Sequence, residues 1–107
     1  MKDRTKKHLF DILTAIEDAQ VIVANTETLE DYLDNRIVQL AIERLLGIIG
    51  EATSRLEKEN AQVLFGQVRQ IMGLRNRIVH EYDDLDETMI WQTIHESLPI
   101  LKREVKS

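Results

Sequence analysis

Between residues 35 and 56, apolar side chains return every three or four positions, at Val38, Ala41, Leu45, Ile48, Ile49, Ala52 and Leu56, and no proline interrupts them. At about 100° per residue this spacing gathers them on one stripe of an α-helix. A helix this long with one apolar stripe buries it against other helices, so the segment is expected to be the central element of a helical bundle. A second stripe, Leu40, Arg44, Gly47, Glu51 and Arg55, lies beside the first. Glycine in mid-helix costs on the order of 1 kcal/mol against alanine, so Gly47 is expected where another backbone comes close, with Glu51 one turn away facing that neighbour.

The rest of the chain follows the same logic. Leu9, Ile12, Leu13, Ile16, Ala19 and Val23 predict an amphipathic helix over about 3–23. Its basic first turns (Lys2, Arg4, Lys6, Lys7) oppose the helix dipole and are expected to fray or to be held by a partner. Thr28 is expected to cap a short helix through Leu29, Tyr32 and Leu33. A further helix should begin between residues 60 and 67 and end near Tyr82. Asp86 then caps a last helix with Ile90, Ile94, Leu98, Leu101 and Val105 on one face, kinked or ended early by Pro99. A chain of 107 residues has room for one core, and four glycines, one proline and 5% aromatic content leave little material for strands and turns. The expected fold is a single all-α domain over residues 1–107, an up-down bundle of four long helices and one short one.

Composition removes several classes of function. Without cysteine there is neither a disulfide nor a thiolate metal site, which suits a reducing cytoplasm. Asp11, Glu17 and Asp18 break up what would be the apolar core of a signal peptide, and no run approaches the roughly 18 apolar residues of a membrane span. A net charge of −5 excludes a broad basic surface that coats nucleic acid. A local basic site remains possible, because residues 60–80 carry Arg69, Arg75 and Arg77 with no Asp or Glu. The next seven residues then hold five acids, Glu81, Asp83, Asp84, Asp86 and Glu87. This acidic run lacks the glycine and the ordered spacing of a calcium loop and reads as a solvated turn with an N-cap. His8 and His95 have no partners at ligand spacing and read as surface or packing residues, and Trp91 as core or interface filler. Neither a metal nor a cofactor is expected.

The reversal of charge falls on an R-x4-H-x-Y pattern made by Arg75, His80 and Tyr82. On a helical wheel Val68, Ile71, Met72, Ile78 and Val79 surround Arg75, with Tyr82 beside it. A guanidinium in an apolar stripe requires an anion: Glu51, a carboxylate of a second subunit, or a bound phosphate. Arg69, Gly73, Asn76 and His80 form an adjoining stripe in which Asn76, one turn from His80, can orient the imidazole. Arg77 lies on the outer face, as a surface charge or a phosphate contact. Arg75 and His80 diverge by roughly 140° on one straight helix, so the pattern is half of a site, completed by the helix end, by the Glu51 helix or by a second subunit.

Three stretches together resemble one family. The R-x4-H-x-Y segment, the run Arg44, Leu45, Leu46, Gly47, Ile48, Ile49, Gly50, Glu51, Ala52, and the run from Ile90 to Ile94 with Leu98 and Pro99 are similar, in order, to the HepT-like branch of the HEPN domains. The resemblance implies an all-α homodimer with its cleft near the subunit interface. It implies a metal-independent endoribonuclease acting on RNA as the toxin of a type II toxin–antitoxin pair of the HepT/MntA kind. Arg75 and His80 would be the catalytic pair, Asn76, Glu51 and Tyr82 would support them, and Arg69 and Arg77 could touch RNA phosphates. The antitoxin would be a small nucleotidyltransferase that silences the toxin by attaching AMP to Tyr82. The residues permit that chemistry, since metal-free cleavage needs a group that moves a proton near neutral pH, as His80 can, and a cation for the phosphate, as Arg75 is. The rival reading makes the same cleft the nucleotide- or substrate-binding subunit of a two-component nucleotidyltransferase, and a third makes the chain a helical adaptor.

Overall fold

The computed structural model describes residues 3–58 and 87–106, and all regular structure among them is helical. Helix α1 runs over Asp3–Ala24, α2 over Leu29–Leu33, α3 over Arg36–Lys58 and α4 over Glu87–Lys106. The expected helix between residues 60 and 82 lies outside the described residues.

Helix α1 buries Thr5, His8, Ile12, Ala15, Ile16 and Ala19, an i, i+3, i+4 succession that makes one face, and Lys7 pairs with Asp11 at 2.9 Å on the opposite side. His8 is therefore a packing residue. The helix stops where side chains turn back on its last carbonyls: Asn25 Nδ2 donates to Val21 O at 2.9 Å and Thr26 Oγ1 to Ile22 O at 2.8 Å. Thr28 has the extended backbone of an N-cap, and its Oγ1 accepts from Asp31 N at 3.1 Å, which starts α2 where the sequence predicts. Asn35 caps α3 in the same way, its Oδ1 accepting from Val38 N at 3.1 Å.

The core joins Ile12, Ile16, Ile42, Leu46, Ile49, Leu56, Ile90, Ile94, Leu98 and Leu101 from the three long helices, with Tyr32 contributed by α2. Helix α1 packs against both α3 and α4, and α2 lies against α3 and α4. Lys102 Nζ reaches Gln20 Oε1 at 3.2 Å to join α4 to α1. The expected face of α4 is the observed one, with Val105 at its edge. Pro99 neither ends α4 nor shortens it, since buried Leu98 and Leu101 hold both sides of the proline to the core.

Helix α3 corrects one expectation. Its inward face is Gln39, Ile42, Glu43, Leu46, Ile49, Ala52, Thr53 and Leu56, so Ile49, Ala52 and Leu56 of the expected stripe are buried, whereas Val38, Leu45 and Ile48 sit at the core's edge, half-buried. At 100° per residue the buried face is turned by roughly 70° from the all-apolar stripe. The turn is possible because the inward polar groups find partners: Gln39 Nε2 donates to Tyr32 O and Leu33 O, both at 3.0 Å, and Thr53 Oγ1 donates to Ile49 O at 2.8 Å. Gly47 stands on the other side: among the described residues no atom beyond its own helix backbone and chain neighbours lies within 4 Å of where its Cβ would stand. Leu40, Arg44, Glu51 and Arg55 of the same stripe are exposed.

Candidate functional site

Arg69, Arg75, Asn76, Arg77, His80 and Tyr82 lie outside the described residues. Of the residues assigned to the site from sequence, Glu51 is described, and it stands exposed on the outward face of α3. That face also carries Arg44 and, with 79% and 50% exposure, Ile37 and Leu40. It lies about half a helical turn from the buried face.

At the other side of α3 the structure assembles a polar cluster that the sequence did not announce. Tyr32 is fully buried, and its hydroxyl donates to Glu87 Oε2 at 2.6 Å, joining α2 to the first turn of α4. Glu43 faces the same carboxylate from α3 and is 9% exposed. Arg36 Nη1 donates to Gln39 Oε1 at 3.2 Å and reaches Glu43 Oε2 at 3.4 Å, but its side chain is 53% exposed, so the attraction is screened by water. Burial and then the neighbouring Glu87 hold the Glu43 carboxyl above the ordinary Glu range, with Arg36 pulling the other way. Burial, followed by the hydrogen bond and charge of Glu87, raises the Tyr32 hydroxyl well above the usual phenol range, so it remains a donor at any physiological pH.

Two rings complete the cluster. Trp91 lies tilted against Tyr32 with centroids 5.1 Å apart, and His95 against Trp91 at 4.2 Å, its Nδ1 2.8 Å from Trp91 O. Glu87 thus departs from the solvated turn expected for the acidic run: it is part-buried and bonded to an aromatic hydroxyl. Glu43 and Gln39 give a weak signal in the sequence, polar residues within a strongly apolar helix, but the pairing of positions 32 and 87 across 55 residues gives none. Among the described residues no group of three or more His, Asp or Glu is placed to hold a metal ion, and no helix is long and apolar enough to cross a membrane.

The family model described as Ribonuclease HepT-like matches residues 12–107. A protein of Methanocaldococcus jannaschii, provisionally named an RNase, is 32% identical over 98% of this chain and 96% of its own. One from Thermococcus cleftensis, named a probable ribonuclease HepT, is 32% identical over 95% of this chain and 93% of its own. One from Aphanizomenon flos-aquae, named tRNA nuclease HepT, is 31% identical over 75% of this chain and 74% of its own. No solved structure matches the chain.

Proposed function

This chain belongs to the HepT-like ribonuclease family, and from that premise we propose that it is a metal-independent endoribonuclease, the toxin of a type II toxin–antitoxin pair. The observation that carries the reading is the family match over residues 12–107, which includes an unsubstituted R-x4-H-x-Y at Arg75, His80 and Tyr82. His80 moves the proton, Arg75 neutralises charge on the phosphate, and Asn76 and Glu51 support them. Arg69 and Arg77 contact RNA phosphates. Transfer RNA is the substrate class to try first, because one relative is named for it. A nucleotidyltransferase antitoxin attaches AMP to Tyr82 and silences the enzyme.

The active form is proposed to be a homodimer, and the outward stripe of α3 supports this. Arg44 and Glu51 stand three positions before and four after Gly47, both exposed. When two copies of α3 cross antiparallel with the two-fold axis between Gly47 and Ile48, Arg44 of each copy meets Glu51 of the other, and Leu40 meets the aliphatic stem of Arg55. Gly47, with open space over it, lets the two backbones approach.

Expression of the chain alone tests the enzyme reading: the wild type is expected to arrest growth and degrade RNA, in EDTA as well as without it, and His80→Ala to cleave about 10²- to 10⁴-fold more slowly. Intact RNA in both cultures would reject catalysis in favour of the nucleotide-binding subunit. Intact mass after co-expression with a cognate nucleotidyltransferase is expected to show added AMP, lost in Tyr82→Phe; an unmodified wild type would reject that regulation.

A further inference from the structure

Three helices meet at Tyr32, Glu43 and Glu87, and among the described residues one buried acceptor there has no donor. Glu87 Oε2 accepts from the Tyr32 hydroxyl at 2.6 Å, while its Oε1 is buried without a hydrogen-bond donor among the described residues. Glu43 is buried one helical turn from Gln39, whose side chain binds the Tyr32 backbone, and it faces the same carboxylate. Two ionised carboxylates are both acceptors and repel, whereas one proton between them makes a donor and an acceptor and supplies Glu87 with the donor that its buried oxygen lacks among the described residues. Among the described residues, the titratable and charged groups facing Glu43 are Glu87 from α4, Tyr32 from α2 and Arg36 on its own helix. Burial and the charge of Glu87 favour a proton on Glu43, against the weaker pull of the half-exposed Arg36.

The geometry points to Glu43 as a positioning residue: through a proton shared with Glu87 it pins the first turn of α4 to α2 and α3, and so fixes the chain five residues after Tyr82 in sequence. Its effect on RNA cleavage rests on the ribonuclease reading, whereas the pinning does not. Glu43 holds its proton more tightly folded than unfolded. The stabilisation is therefore complete below the ordinary Glu value of about 4.5 and is lost as pH rises from there through the raised value. Raising the pH ionises both carboxylates and loosens the first turn of α4.

The chain carries one tryptophan, Trp91, which leans on Tyr32 at 5.1 Å and reports the cluster. Its emission is followed against pH with His95→Gln in every protein, which removes the other titratable ring touching Trp91. Expected is a single step with its midpoint above 4.5, absent in Glu43→Gln, whose amide donates at every pH, and moved to lower pH in Glu87→Gln. The kcat for RNA of Glu43→Gln relative to wild type is expected to rise across the same midpoint, with KM unchanged. A step that survives in Glu43→Gln at its wild-type midpoint overturns the pinning. A step that is lost while the two kcat profiles stay parallel overturns the positioning role. Loss of the step in proteins that all leave RNA intact supports the pinning and rejects the ribonuclease reading.

Discussion

Tyr32 shows how much one hydroxyl can hold. It sits in a five-residue helix, too short to be stable alone. Its ring fills the core between α3 and α4, and its hydroxyl satisfies a part-buried carboxylate 55 positions away. Tyr32→Phe keeps the ring and removes only the donor, leaving Glu87 Oε2 without its partner beside an Oε1 that has no donor among the described residues. Removing one partner from a buried acceptor costs about 1–3 kcal/mol, more when that acceptor is charged. Urea unfolding at pH 7 is expected to show a loss in that range with an unchanged m-value, and a loss under about 0.5 kcal/mol would mean that water replaces the hydroxyl. The sequence made Tyr32 legible as an apolar residue of a capped short helix. It hid the hydroxyl's partner, because no local pattern links a tyrosine to a carboxylate so far along the chain.

Among the elements, α2 and α4 could be read almost residue by residue, since an N-cap threonine and an i, i+4, i+8 apolar face are local signals. The rotation of α3 could not, because Gln39 and Glu43 face inward against hydropathy, Gln39 held there by bonds to the backbone of α2 and Glu43 reached by Arg36 of its own helix. The R-x4-H-x-Y segment stands differently: its pattern is legible as a motif, and its residues lie outside those described. Gly47 is where the element's own stability and its proposed use diverge. Among the described residues of one chain an alanine there meets nothing within 4 Å, and alanine in mid-helix is favoured over glycine by about 1 kcal/mol. Gly47→Ala is thus expected to raise the stability of the monomer, read by thermal unfolding at high dilution. At higher concentration the added methyl separates two α3 helices that cross at Gly47, so the dissociation constant is expected to rise. If Gly47→Ala strengthened association as well as the monomer, the crossing would have to lie elsewhere on α3.

At the scale of the whole molecule, charge and shape combine on one face. The chain carries a net charge of −5, so two copies repel unless their contact surfaces are locally complementary. The outward face of α3 supplies that complementarity to itself, since Arg44 and Glu51 are placed symmetrically about the point between Gly47 and Ile48 and exchange partners under a two-fold axis. Exposed Ile37 and Leu40 extend the same face with apolar surface. An isologous contact makes a demanding prediction, because each pair occurs twice. Arg44→Glu places two acids opposite each other at both ends of the crossing, and Glu51→Arg places two bases; each alone is expected to yield monomers by sedimentation equilibrium at micromolar concentration. Combined in one chain, the two changes restore opposite charges at both ends, and the dimer is expected to return, weakening with salt as exposed ion pairs do. Association that survives either single exchange, or fails to recover in the double, would place the dimer contact on another face of the bundle. Recovery in the double would tie the Glu51 face of α3 to the subunit contact, the arrangement that the proposed completion of the R-x4-H-x-Y site by a second chain requires.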